Sequence, residues 1–289
     1  MLKRGWGNIF PRKKRDENQK FLNCNFFLKN NKGQITVFVI AAIVIVAMVG
    51  LYFSFRSGVL PSIGGGNKEA NVNEFFTSCI EDKISEAARE ISLVGGDLKP
   101  KLYVRFLFTE ENIARNISYI CYTQNNFLPC VVQKPTLFLD VQNEIKNYIS
   151  QDVESCFSEM KSSFGKQGFV VSQDSKLNGF DVELMPEKIS VKTDSKIILT
   201  KSDETKTQED FEISVLSDTY GLVGIAQEIV NSETQFCYFE DTGFEVAYPD
   251  YSITKHLIES GNKIYTITNK KTDEIFRFAI RGCAIPPGF

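Results

Sequence analysis

Apolar residues recur along this chain in three rhythms, and each predicts a different kind of element. The first is an unbroken run from Gln34 to Phe55 with no charged side chain. As a helix rising about 1.5 Å per residue, it would cross the roughly 30 Å hydrocarbon core of a bilayer. Its many Val and Ile residues do not oppose a helix there, because backbone polar groups in lipid must be satisfied within the segment. The second rhythm is recurrence at three and four residues. Val72, Phe75, Phe76, Cys79, Ile80, Ile84, Ala87, Ala88 and Ile91 predict an amphipathic helix of about 23 residues that stops at Gly95-Gly96. Val141, Ile145, Tyr148, Ile149, Val153, Cys156, Phe157 and Met160 predict a second over residues 139–164, and Leu222, Ile225, Ala226, Ile229 and Val230 a third over 217–231.

The third rhythm is alternation. Residues 102–108, 117–122, 169–172, 180–184, 188–192, 196–200 and 211–216 form short β-branched or aromatic stretches bounded by turn residues, which predicts strands in mainly antiparallel pairs. Further strands are expected at 235–240 and 244–248, and a hairpin joining 263–268 to 275–281. A short helix is expected over 252–260, while the polar stretch 202–210 reads as a solvated loop. Elements in this order predict an α+β body with two long amphipathic helices and antiparallel strands. Residues 56–70, with Pro61 and Gly64-Gly65-Gly66, disfavour helix and separate the body, 71–289, from the apolar run as a flexible linker.

Charge sets the expected topology. Residues 1–33 hold nine Lys and Arg against Asp16 and Glu17, whereas the chain after the apolar run carries 24 basic and 34 acidic side chains. The positive-inside rule keeps 1–33 in the cytoplasm as a basic tail, makes 34–55 a single transmembrane helix, and puts the body outside the cell membrane. A cleaved secretory signal is the competing reading, but its apolar region should be about 7–15 residues and end in small residues. This run is longer and ends Leu51-Tyr52-Phe53-Ser54-Phe55. The basic cluster Arg12 to Arg15 beside such a span points to membrane lipid as a partner. Nucleic acid is not expected, because an acidic body would repel it.

Cysteine usage fits that placement. Cys24 falls on the cytoplasmic side as a free thiol, leaving Cys79, Cys121, Cys130, Cys156, Cys237 and Cys283 outside. An even number in an oxidising compartment predicts up to three disulfides without fixing their connectivity. Cys121 and Cys130 bracket a short segment suited to a bridged hairpin or loop. Ser78-Cys79-Ile80 and Ser155-Cys156-Phe157 repeat a pattern on the stripes of the first two helices, which a degenerate duplication and helical patterning explain equally well.

Reactive constellations are sparse. His256, the sole histidine, could act as a general base, but nothing in the sequence marks a nucleophile for it. With no Cys-x-x-Cys pair in the chain, a zinc site is not expected. Glu110-Glu111 and Glu240-Asp241 lack the alternating pattern of calcium loops and read as solvated charge. Gly64-Gly65-Gly66 precedes no Lys-Ser/Thr and reads as linker, not as a phosphate loop. Asn116-Ile117-Ser118 is an N-glycosylation sequon. No cofactor and no catalytic set is expected.

Lys32-Gly33-Gln34-Ile35-Thr36, leading straight into the apolar helix, resembles the class III signal peptide of archaeal type IV pilins and archaellins. That resemblance implies Lys32 and Gly33 as peptidase recognition residues and cleavage before Gln34. The family's Glu five residues into the mature chain is replaced here by Phe38. More broadly, Lys-Gly-Gln-Ile-Thr-Val-Phe at the membrane, Ser-Cys-Ile on a helix ending in Gly-Gly, then Glu-Ser-Cys-Phe, Ala226-Gln227-Glu228-Ile229-Val230 and Phe236-Cys237-Tyr238 resemble uncharacterised membrane-anchored archaeal surface proteins. Together these readings lead us to expect a single-pass surface protein with a binding or surface-assembly role and protein partners. A pilin-like filament subunit is the alternative, and an envelope-associated enzyme the third.

Overall fold

The structure, a computed structural model, describes residues 71–109, 111–258 and 261–285, together with helical positions at Ile40, 42–45 and Met48. The basic tail 1–33, the linker 56–70, most of the expected span, and Lys32, Gly33 and Gln34 lie outside the described residues. Among the described residues no helix is long and apolar enough to cross a membrane. The chain divides into two units, Met1–Asn67 and Lys68–Phe289. The second is a mixed α+β domain.

Helix α1 spans Val72–Ser92, capped at its start by Asn71, whose side chain accepts from the Glu74 N–H at 3.2 Å. Its buried stripe is Val72, Phe76, Ile80, Ile84, Ala87, Ala88 and Ile91. At its end the chain turns through Gly95 at φ +82°, where an added Cβ would lie 3.1 Å from the Ser118 Cβ and 3.2 Å from the Arg277 carbonyl oxygen. Glycine is required there both for the left-handed backbone and for the close approach of helix end to sheet. Helix α2, Leu137–Lys166, presents Val141, Ile145, Ile149, Val153, Cys156, Phe157 and Met160 to the same core. Helix α3, Thr219–Phe236, buries Leu222, Val223, Ala226, Ile229 and Val230, and is followed by the short α4, Asp241–Ala247.

The first sheet contains β1 (Tyr103–Phe108), β2 (Ile113–Tyr122), β9 (Tyr251–Ile258), β10 (Asn262–Asn269) and β11 (Ile275–Arg281) in the order β1-β2-β11-β10-β9, with β3 (Val131–Val132) paired to β2. All pairs are antiparallel except β11 with β2, which runs parallel. The second sheet is built on β6 (Lys188–Lys201), flanked by β4 (Val170–Val171), β5 (Lys176–Met185), β7 (Glu204–Glu209) and β8 (Glu212–Leu216). Strand β6 buries every second residue from Ile189 to Leu199, the alternation of a sheet with one face in the core. Helix α1 packs on β8 and β11, α2 on β4 and β5, and α3 on β10 and β11. One hydrophobic cluster therefore runs from Ile189 and Val191 through both long helices to Tyr265 and Phe278.

Three disulfides join Cys79 to Cys156, Cys121 to Cys130 and Cys237 to Cys283. They connect α1 with α2, close the loop from β2 to β3, and hold the end of α3 to the segment after β11. Disulfides of this density indicate an extracytoplasmic domain.

Four local expectations are corrected. Residues 202–210 contain the strand β7, paired with β6 from Lys196↔Glu209 to Lys201↔Glu204. Its turn residues Ser202 and Asp203 adopt φ +49° and +66°, the double positive φ of a tight hairpin turn more often signalled by Asn-Gly. Residues expected as strand at 235–240 instead finish α3 and cross to the next helix, with Cys237 left-handed at φ +57° as the C-cap. Residues expected as strand at 244–248 fall largely in α4, whose N-cap Glu240 accepts from the Gly243 N–H. The short helix expected over 252–260 is strand β9, paired with β10 along its whole length. Ser-Ile-Thr-Lys-His-Leu-Ile satisfies either period over so few residues, and pairing with β10 decides between them.

Candidate functional site

The first sheet has two unlike faces. Ile253, Tyr265, Ile267, Phe276, Phe278 and Ile280 belong to the main core. Directly paired residues of adjacent strands share a face, so the register Thr254↔Thr266↔Arg277 and His256↔Ile264↔Ala279 puts these six on the opposite side. There a separate small core of Phe108, Ile117, Tyr119, Ile264 and Ala279 is buried. Strands β1 and β9 are the two ends of the sheet order, yet the Phe106 ring of β1 lies 5.3 Å from the His256 ring of β9, and Phe108 lies 6.5 Å from it. The sheet is therefore curled into a half-barrel, with this second face on its concave side.

Arg277 occupies the middle of that face at 6% exposure. Its guanidinium lies 3.9 Å above the Phe108 ring centroid, a favourable cation–π placement. The Nη2 group donates to Glu111 Oε1, which the turn from β1 to β2 supplies. Glu111 also faces Arg115 at 3.8 Å, Arg115 faces Glu90 at 3.6 Å, and Glu90 pairs with Arg89 at 2.9 Å. The chain alternates three guanidiniums with two carboxylates. The Arg277 hydrogen bond holds the Glu111 carboxyl below the usual carboxylate range, against the opposing effect of burial. Even so, Nε and Nη1 of Arg277, Nε of Arg115 and Oγ1 of Thr266 are buried without a hydrogen-bond partner among the described residues. Each such donor costs about 1–3 kcal/mol.

Two cavities flank this chain of charges. The smaller, about 240 Å³, lies on the concave face against Phe106, Phe108, Thr254, His256, Thr266 and Arg277. The larger, about 510 Å³, lies between α1, the start of α3 and the turn from β10 to β11, with Arg89, Arg115, Ser217, Thr219 and Glu274 among its walls. Glu111 and Ile275 border both, so the Glu111 carboxylate is the partition between them.

A second polar cluster serves packing. Glu233, 1% exposed, accepts from the Tyr265 hydroxyl at 2.5 Å and from Lys263 at 2.5 Å, and Lys263 also donates to the Cys237 carbonyl at 2.8 Å. Burial and the Glu233 hydrogen bond push the Tyr265 hydroxyl far above its usual range. Every charged group there has a partner, and the cluster ties α3 to β10 beside the Cys237–Cys283 bridge.

The structure distributes the sequence-derived candidates unevenly. His256 sits in the smaller cavity on a strand, Glu111 lies between Arg277 and Arg115, and Glu110 is outside the described residues. Glu240 caps α4, and Asp241 faces Lys255 at 3.9 Å. Asn116 is exposed on β2, opposite Arg105 of β1. Arg277 and Thr266 were not singled out by the sequence reading. The available signal was a lone charge in the apolar strand Ile275-Phe276-Arg277-Phe278-Ala279-Ile280, a position where charge is uncommon unless paired or used. Among the described residues no group of three or more His, Cys, Asp or Glu side chains could hold a metal ion. Comparison with protein-family models, curated proteins and solved structures finds no match to this chain.

Proposed function

We propose that the chain is a cell-surface binding protein, tethered by a single transmembrane helix at 34–55, whose disulfide-braced body takes up a ligand or partner on its half-barrel side. The observation that carries the binding reading is the buried, incompletely satisfied Arg277 on the wall of the smaller cavity. Polar groups converging in a recess that also offers apolar walls are the usual form of a binding site. Binding is favoured over catalysis because the His256 ring is set against Phe106 and Phe108, with no carboxylate hydrogen-bonded to it among the described residues to orient it as a base. Tethering is supported by the uncharged run 34–55 behind a basic tail and by disulfides in the body.

Protease added outside intact cells is expected to digest the body and leave residues 1–33 protected. A protected body overturns the topology. The Lys32-Gly33-Gln34 motif supports a second reading, a pilin-like subunit cut before Gln34. Intact mass of the membrane-extracted chain together with electron microscopy of sheared surface material separates the two. A mature N-terminus at Gln34 with filaments containing this chain favours the subunit. Phe38 in place of the family's Glu removes the carboxylate that could pair with a neighbouring N-terminal amine, so dispersed protein is the expected result.

A further inference from the structure

Building on the binding reading, we propose that the smaller cavity is a binding site for a monoanionic carboxylate carrying a compact apolar body, with Arg277 as its anchoring cation. Arg277 is more than nine-tenths buried, lines the cavity, and has two donors, Nε and Nη1, with no acceptor among the described residues. Phe108 fixes the guanidinium from one face but offers those N–H groups no oxygen. Because the donors are shielded from bulk solvent, only a group entering the cavity can satisfy them.

Thr266 adds an independent observation. It is the register partner of both Arg277 and Thr254, and its buried hydroxyl likewise has no partner among the described residues. A row of Arg, Thr and Thr thus crosses β11, β10 and β9 on the cavity wall, with His256 one pair further along. An acceptor bound there would satisfy groups that the fold alone does not.

The charge balance selects the ligand class. Arg277 shares its one carboxylate, Glu111, with Arg115, which leaves a partial positive surplus at Arg277. A carboxylate matches that surplus, whereas a phosphate dianion would bring uncompensated charge beside the Glu111 carboxylate. The remaining walls are Phe106, Leu107, Phe108 and Ile275, with Thr109 and Thr268. At about 240 Å³ the space is below the range typical of drug-sized ligands and suits a body of one ring or a short branched chain.

His256 provides the readout, since it is the sole histidine in the sequence and lines this cavity against two aromatic rings. The test is a titration of the detergent-solubilised full chain, labelled at histidine, followed through the Cε1–H resonance of its one imidazole in a carbon–proton correlation spectrum. Benzoate is expected to move that resonance saturably. Benzamide, of the same shape without the charge, should bind at least about tenfold more weakly, as loss of a charge-assisted hydrogen bond implies. Arg277→Met is expected to abolish the benzoate response. Thr266→Val, which removes only an unpartnered hydroxyl and so should leave the fold intact, is expected to weaken binding several-fold, with circular dichroism confirming the fold. Equal responses to benzoate and benzamide, a saturable response to inorganic phosphate in preference to benzoate, no benzoate response at all, or unchanged binding in folded Thr266→Val each overturn the assignment. The protease test of the tethered reading does not depend on these outcomes.

Discussion

Glu111 is the residue on which the concave face depends most directly. Its carboxylate is the only acceptor that Arg277 has among the described residues, and removing it leaves the charge of the buried Arg277 uncompensated. Glu111→Gln is therefore expected to cost about 1–2 kcal/mol at neutral pH, below the roughly 3–5 kcal/mol of a fully buried pair because Glu111 is itself a third exposed. The effect depends on pH. The folded carboxyl titrates below its ordinary value of 4.5 because Arg277 donates to it, so the unfolded chain binds the proton first as pH falls. The stabilisation is complete above the unfolded value and drains away as pH drops through the folded one. Denaturant unfolding at pH 7 and pH 3 should show a wide gap between wild type and variant at pH 7 that narrows at pH 3. A gap that is constant with pH would show that Glu111 acts through shape alone.

At the scale of elements, the disulfides differ in what they restrain. The bridge between α1 and α2 spans 77 residues of sequence, whereas Cys121–Cys130 spans 9. Loop-closure entropy makes these worth about 4.5 and about 2.7 kcal/mol respectively. Replacing Cys79 and Cys156 together by Ala should accordingly lower stability by roughly 1–2 kcal/mol more than replacing Cys121 and Cys130. Guanidinium unfolding of the two double variants measures the difference, and an equal or larger loss for the short loop would contradict it. The same pair illuminates the repeated Ser-Cys pattern: Cys156 lies on the buried stripe of α2 and Cys79 packs beside that of α1, and the stripes face each other. Helical pattern was readable because α1 and α2 run for 21 and 30 residues. The seven residues of α4 and the eight of β9 were too few for one period to exclude the other.

For the whole body, the continuity of the core matters more than the presence of two sheets. Val191 of the second sheet, Ile84 and Ile149 of the long helices, and Phe278 of the first sheet all belong to one buried cluster. Neither sheet can lose its partner helices without exposing the other. Thermal unfolding of the oxidised protein is expected to be a single transition, with far-ultraviolet circular dichroism and the near-ultraviolet tyrosine signal giving coincident midpoints. Two separated midpoints would show that the sheets are independent units.

The sequence alone determined the amphipathic helices, most of the strands and the even set of cysteines after residue 56, because each follows from local periodicity or composition. His256 and Glu111 were visible as residues but not as neighbours. Glu111 and Arg277 lie 166 residues apart, and no local pattern links a turn after β1 to the middle of β11. Only the parallel pairing of β11 with β2 and the curl that carries β1 toward β9 brought them together. Pairing with β10, equally invisible locally, turned 251–258 from an expected helix into a strand, because a segment compatible with both periods takes the form that satisfies its backbone hydrogen bonds against the neighbour it meets.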